Sequence, residues 1–274
     1  MKLFEKIFGS KEEKKEIESQ KPDAEAGERM KSATPQEQIL ERREKTSSRH
    51  LGGGANETIF VELKDDGSAV FKPSNGEVLL RESTEAGTYY KRERAAYLVN
   101  RFLNFDLVPS TVIRELDGEV GSVQEFIPDA KAGARLSIEE CNTPNISTEF
   151  LKLWIFDYVI WNSDRSWFNF LVKQNKLYAI DNGLSFADEI PRFAGEDWPF
   201  SEQKFFDAPL APEISENFKE FFSWTQGKEI LRGLLGELLA KNEVDACLAR
   251  IEKIGKIIEE RGMIPLAERG KLTF

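Results

Sequence analysis

Short apolar runs, Ile59 to Val61 within "ETIFVEL" (57–63) and Ala69 to Phe71 within "GSAVFKPS" (67–74), have the look of two β-strands. The "KDDG" between them has the composition of a hairpin turn. Two further strands, "VPSTVIREL" (108–116) and "EVGSVQEFI" (119–127), flank a turn at Asp117 and Gly118. Between the two pairs, "STEAGTYYKRERAAYLVNRFLN" (83–104) sets Ala95, Leu98, Val99 and Phe102 on one helical face, with Ser83 or Thr84 as the expected cap. From about Pro128 the pattern turns helical, broken by "FNFLV" and "LYAI", two short apolar strands around the turn "KQNK". Helices are expected again at about 214–223, 227–241 and 243–261. No internal repeat is visible. A β-rich first part followed by a helical second part predicts an α+β fold of two lobes, 51–127 and 128–266, with a tail at 267–274.

The first fifty residues read differently. Residues 9–50 are rich in Lys, Glu, Ser and Gln and are expected to form a flexible tether. Ahead of them Leu3, Phe4, Ile7 and Phe8 share a helical face, with Lys2 and Lys6 elsewhere. Such a turn can make weak contact with a membrane surface or a partner; a frayed terminal helix resting on the protein itself is the competing reading.

Composition narrows the function more than the fold. The chain has 274 residues and a net charge of −10, which disfavours general nucleic-acid binding. No apolar run approaches the roughly 18 residues that span a bilayer. The N-terminus lacks the apolar core of a signal peptide, and Cys141 and Cys247 suggest no disulfide framework, so a cytoplasmic setting is expected, with membrane contact limited to residues 1–8. His50 is the single histidine, and it lies in polar sequence without a nucleophile elbow. That removes most Ser-His-Asp hydrolase and zinc chemistry. Chemistry here must run on carboxylates, amides, lysine and a hard cation.

Candidates of that kind occur in order. Gly52, Gly53, Gly54, Ala55 and Asn56 form a glycine run whose backbone can approach an anion, although glycines at a linker end are often only flexible. It is not a Walker A loop. Lys72 ends an apolar strand, and Glu93 lies 21 residues on, on the helix expected to cross the same sheet. A strand lysine paired with a helical glutamate holds nucleotide phosphates in kinases. Glu93 could instead be solvated within "YKRERAA", and Glu85 rivals it. Asp164 and Asn169 have the D-x-x-x-x-N spacing of a kinase catalytic loop, and Asp181 follows in "AIDNG" at the end of the next strand pair. Asp164 and Arg165 could also form a plain surface ion pair.

At "AVFKPSNGE", "ERAAYLVNRFLNFDLVPSTV", "FDYVIWNSDRSWFNFLVK" and "AIDNGLSF" the chain resembles the type II phosphatidylinositol 4-kinases and, more widely, the Fam20 and HipA-type atypical kinases. The resemblance spans roughly residues 52–200. It implies a two-lobe protein-kinase-like fold, with ATP and Mg2+ or Mn2+ as cofactors. It makes Gly52 to Asn56 the phosphate loop, Lys72 the phosphate anchor, Glu93 its partner and Asp164 the catalytic aspartate. It makes Asn169 and Asp181 the metal ligands, and it sets Val123, Gln124, Glu125, Phe126 and Ile127 against the adenine as the hinge.

The chain departs from these relatives in places. Ser166 stands where many have histidine after Asp-Arg, and the acylation cysteines of the type II lipid kinases, with the insert that carries them, are missing. "FAGEDWPF" (193–200) takes the place of the substrate-recognition segment. The expected activity is ATP-dependent phosphoryl transfer to a hydroxyl, with protein Ser/Thr favoured over phosphatidylinositol because acylation cysteines and a large basic patch are absent. A nucleotide-binding pseudokinase is the alternative from another class, although none of Lys72, Asp164, Asn169 and Asp181 is lost. Nucleotidylation by an inverted nucleotide is the third reading, and no residue argues for it.

Overall fold

A computed structural model describes residue 28 and residues 30–52, 55–80, 87–141, 143–187, 212–224 and 226–261. The expected amphipathic turn at 1–8, Gly53, Gly54, Ser83, Thr84, Glu85, the "FAGEDWPF" segment and the 267–274 tail lie outside these residues.

The first lobe is built on helix α1 (Pro35–Arg42), strands β1 (Lys45–His50), β2 (Ile59–Leu63) and β3 (Gly67–Pro73), helix α2 (Tyr89–Phe102), and strands β4 (Thr111–Leu116) and β5 (Glu119–Glu125). The strands form one antiparallel sheet in the order β1-β2-β3-β5-β4. Turn chemistry sets its registers. Asp65 and Asp66 take φ of 56° and 60° after β2, and Asp117 and Gly118 take 55° and 86° between β4 and β5. These are left-handed conformations that Asp and Gly adopt more readily than other residues.

Two expectations are corrected here. Residues 35–50 are not a tether, because α1 and β1 belong to the lobe. β1, "KTSSRH", carries no apolar side chain and is mostly exposed, so it shows no alternation; backbone pairing to β2 is what orders it. Its presence changes the meaning of the glycine run, which joins two antiparallel strands rather than ending a linker. Leu51 N–H donates to Thr58 O at 2.7 Å across the base of that loop. Helix α2 starts at Tyr89, not near Ser83 or Thr84. Thr88 takes the cap position but its side chain does not cap the helix, and the Glu77 carboxylate accepts from Tyr89 N and Tyr90 N, both at 2.8 Å.

α1 begins with a capping box, in which Thr34 and Glu37 serve each other's backbone N–H, and Pro35 opens the first turn. Leu40 is fully buried in the sheet core with Val61, Phe71 and Val123. Glu37, also fully buried, accepts from Arg94 Nη1 at 2.5 Å and Arg101 Nη1 at 3.2 Å, both on α2. Burial would raise its carboxyl, but the Thr34 N–H and the two guanidinium groups outweigh that and hold it below the usual carboxylate range. Its stabilisation is therefore present above the unfolded value and lost as pH falls below it. Glu37→Gln is expected to lower stability by about 3 kcal/mol at pH 7, because two guanidinium groups lose their counter-charge. The gap to wild type should narrow below about pH 4, where the wild-type carboxyl is also neutral. Urea unfolding at both pH values checks this.

The second lobe contains strand β6 (Lys131–Ala132), the one-turn helix α3 (Ile138–Cys141), helix α4 (Pro144–Ile160), strands β7 (Phe170–Lys173) and β8 (Lys176–Ala179), and helices α5 (Pro212–Ser223), α6 (Gly227–Gly236) and α7 (Lys241–Arg261). β6, which has too few residues to show a period, pairs with β7, and β7 pairs with β8 through the turn at Gln174 and Asn175. Phe105, Phe150, Phe156, Phe170, Phe186 and Phe218 fill a core that also takes in one face of α2. Burying such side chains stabilises by about 2 kcal/mol each. Helix α2 is thus shared between the lobes, which suits it to align parts of both.

Candidate active site

Lys72, the last residue but one of β3, lines the cleft between the lobes. Its Nζ donates to Glu93 Oε1 of α2 at 2.5 Å and to Asp181 Oδ1 at 2.9 Å. The solvated reading of Glu93 is thereby corrected: it is 2% exposed, and its second oxygen accepts from Asn182 N at 3.0 Å. Burial would depress the Lys72 ammonium, but Asp181 and Glu93 outweigh that and hold it well above the ordinary lysine range. Asp181 is held below the ordinary carboxylate range, by Lys72 first and Arg165 further off, against the effect of burial. The lysine is a fixed cation at any physiological pH.

Asp181 lies just beyond β8 with φ of 58°, a backbone conformation that costs a non-glycine residue on the order of 1 kcal/mol and clusters at functional sites. Gly183 follows closely. A Cβ there would stand 3.0 Å from the Tyr89 Cβ, so the turn after Asp181 packs directly on the first turn of α2.

Asp164 and Asn169 come from the loop between α4 and β7. Asn162 Oδ1 accepts from Asp164 N at 2.9 Å, and Asn169 Nδ2 donates to Asp164 O at 2.7 Å and Oδ2 at 3.2 Å. Turning its nitrogen to Asp164 leaves the Asn169 carbonyl oxygen for a cation. Arg165, which as an alternative could have paired with Asp164 at the surface, is 3% exposed and binds Asp157 of α4, with Nε 2.9 Å from Oδ2. Its other nitrogens donate to Asn169 O, to Ile180 O at 2.7 Å and to Asn182 Oδ1 at 2.6 Å. One guanidinium therefore ties the Asp164 loop to the Asp181 turn. Burial pushes the Asp157 carboxyl up against the pull of Arg165.

A cavity of about 250 Å³ collects these groups. Ala55, Asn56, Lys72, Glu93, Asp164, Asn169 and Asp181 line it, with Tyr89, Tyr90, Leu80 and Ser166. Gly52 is exposed and stands outside the lining. Gln124, Glu125, Phe126 and Ile127 are outside it too. Gln124 turns to Thr111 Oγ1 at 2.9 Å, the Glu125 carboxyl is raised by burial, and the Phe126 ring meets Phe60 edge-on at 4.9 Å. Val123 belongs to the sheet core. The cavity thus gathers the charged candidates and leaves the hinge candidates outside its lining.

Its oxygen donors, Asp181, Asp164 and the Asn169 carbonyl, suit a hard cation. No cluster of three or more His, Cys, Asp or Glu that could hold a metal occurs among the described residues. Mg2+ takes one or two protein ligands and completes its shell with water and phosphate oxygens.

Sequence reasoning missed Asp157, Asn182, Glu77, Arg92 and Glu243. Asp157 had a signal, a lone carboxylate within the apolar "KLWIFDYVIW". Glu243 had none, because a glutamate near a helix start looks the same whether it is solvated or paired.

No family model matches the chain, and no curated protein matches it. Solved structures do. A Golgi casein kinase with Mn and ADP bound aligns at TM-score 0.51 and 19% identity, over 86% of this chain and 79% of that one. A hydra Fam20 with sugar aligns at TM-score 0.54 and 14% identity, over 84% and 92%. The Helicobacter pylori proinflammatory kinase CtkA aligns at 0.51 and 9%, over 82% and 96%. The chain has the fold of these kinases. The Fam20 side of the resemblance thus has structural counterparts, and none of these three is a phosphoinositide kinase.

Proposed function

We propose that the chain is an ATP-dependent phosphotransferase that moves the γ-phosphoryl group to a hydroxyl, with protein serine or threonine as the acceptor. The observation that carries this reading is the unbroken chain Glu93–Lys72–Asp181, at 2.5 and 2.9 Å, opening on a cavity that Asp164 and Asn169 share. A pseudokinase would be expected to have lost part of that set.

Charge supports a metal requirement. Among the described residues the cavity presents five carboxylates (Glu57, Glu77, Glu93, Asp164 and Asp181) and one cationic side chain, Lys72. A triphosphate would meet net repulsion there unless divalent cations accompanied it. Asp181 and Asn169 would hold such a cation, which when bound neutralises charge on the phosphate oxygens.

Lys72, kept protonated and aimed by Glu93, is placed to bind the phosphates and spread their charge. Asp164 is placed to orient the acceptor hydroxyl and take its proton. The acceptor oxygen then bonds to the γ-phosphorus as the bond from that phosphorus to the β–γ bridging oxygen breaks, and ADP leaves.

The acidic lining also favours a protein acceptor carrying basic residues near its hydroxyl over an anionic phosphoinositide. Purified protein with γ-labelled ATP and Mg2+ or Mn2+ tests this against a protein acceptor and phosphatidylinositol vesicles. Label in protein supports the reading, label only in lipid replaces the acceptor, and nucleotide binding without transfer replaces the enzyme with a pseudokinase.

Asp181→Ala is expected to weaken ADP binding on the order of 100-fold when Mn2+ is present, and far less in its absence. Calorimetric titration in both conditions would show the difference. Equal losses with and without metal would contradict the assigned role.

A further inference from the structure

Arg92, Glu93 and Arg94 are consecutive on α2, and each reaches a different part of the molecule. Glu93 turns to Lys72, and Arg94 turns to Glu37 and to Thr111 O at 2.5 Å, both in the first lobe. Arg92 turns the other way. Its Nη2 donates to Glu243 Oε1 at 2.5 Å, in the first turn of α7, and its Nη1 to Ser185 O at 2.5 Å. Ser185 lies four residues beyond Asp181. One guanidinium therefore fastens both carriers of the Lys72 carboxylates, α2 and the Asp181 turn, to the last helix.

Stability alone does not explain this pair. Arg92 is 6% and Glu243 is 9% exposed. An apolar pair of similar volume at such a place is often as stable or more so, because burying two charges costs several kcal/mol. The cost is raised further here, because Arg92 Nε and Ser185 Oγ are buried without a partner among the described residues. What an ion pair supplies and an apolar contact does not is a fixed direction: the fork of Arg92 meets its acceptors in only one rotation of α2. Residues 92 and 93 are about 100° apart around that helix, so the rotation that seats Arg92 also points Glu93 at Lys72.

We propose that Glu243, acting through Arg92, is a positioning residue that holds α2 where Glu93 reaches Lys72. Glu243 is not among the residues that line the cavity, and its route to α2 is the bond from Arg92. The catalytic consequence rests on the phosphotransferase reading; the effect on Lys72 does not.

The test uses the full chain carrying Glu243→Gln. This change keeps the acceptor that caps α7 at Ala240 N, 2.9 Å away, and removes the charge. The first readout is acylation of Lys72 by an amine-reactive reagent, quantified by mass spectrometry against an exposed lysine such as Lys241. In the wild type Lys72 is masked by its two carboxylates, and Glu243→Gln should raise its labelling several-fold.

The second readout is transfer. The kcat should fall about tenfold with the KM for ATP changed less than about threefold. Glu93→Gln with Glu243→Gln should then be no slower than Glu93→Gln alone, because both act on one element. If Glu243→Gln lowers the yield of folded protein, Arg92→Lys serves in its place, since it keeps a charge for Glu243 but cannot also reach the Ser185 carbonyl.

Unchanged Lys72 labelling in folded variant protein overturns the proposal, as do losses in kcat that multiply in the double variant. If no form of the protein transfers phosphate, the phosphotransferase reading fails, and the labelling still decides the positioning role.

Discussion

Asp164→Ala is expected to lower phosphoryl transfer about 1000-fold while leaving nucleotide affinity within a few-fold of wild type. The split follows from the site's geometry. The Lys72, Glu93 and Asp181 chain needs nothing from Asp164, so the phosphate end of the cavity survives the change. Asp164 stands apart on the loop after α4, held by Asn162 Oδ1 at its N–H and by Asn169 Nδ2 at its carbonyl and carboxylate. Truncation at Cβ leaves both backbone bonds in place, so the loop should keep its course. What disappears is the carboxylate that orients the acceptor hydroxyl and takes its proton.

Single-turnover transfer from γ-labelled ATP, beside a titration with ADP and Mn2+, measures both halves of this expectation. Transfer within tenfold of wild type would remove Asp164 from its role. Loss of binding together with transfer would make Asp164 a structural member of the metal site instead.

The parts of this architecture that depend on side-chain period were legible in the sequence. β2, β3, β4 and β5 are short stretches with apolar and β-branched residues between turn signals, α2 and α7 carry apolar faces, and the turns at Asp65, Asp117 and Gln174 have turn-forming residues. The parts that depend on backbone pairing alone were not. β1 has no apolar residue, and β6 is two residues long, so neither leaves a periodic trace.

The same boundary runs through the site. Lys72, Glu93, Asp164, Asn169 and Asp181 could be read because their spacing follows a known order, and the structure brings all five to one cavity. Arg165, for which the sequence leaves a surface pair with Asp164 as one open alternative, is buried against Asp157. Linear sequence does not say which of two nearby carboxylates a guanidinium faces. The Arg92–Glu243 contact joins residues 151 apart, and no local pattern could announce it.

Arg165→Ala is expected to be the most destabilising single change in the site, by about 3–5 kcal/mol. Arg165 offers its fork to Asp157, Asn169 O, Ile180 O and Asn182 Oδ1 at once. Asn162 joins the same three parts through Asp157 O, Asp164 N and Asn182 Oδ1, but it carries no charge to set against Asp157. Removal of Arg165 leaves Asp157, 3% exposed, without counter-charge, and takes the guanidinium from Ile180 O, while Asn169 O keeps its bond from Ile180 N at 3.2 Å. Arg165→Lys should fare only moderately better, because a single ammonium cannot span four acceptors.

Stability and function should then separate in a second step. Adding Asp157→Asn to Arg165→Ala removes the uncompensated charge and is expected to recover roughly half of the lost stability in urea unfolding. Transfer should stay at the level of the single variant, because a neutral amide on α4 does not restore the guanidinium bonds to Ile180 O and Asn182 Oδ1. Recovery of both together would mean that Arg165 serves only to neutralise Asp157. Recovery of stability alone would identify it as the tie that keeps the Asp164 loop and the Asp181 turn in register across the cavity they share.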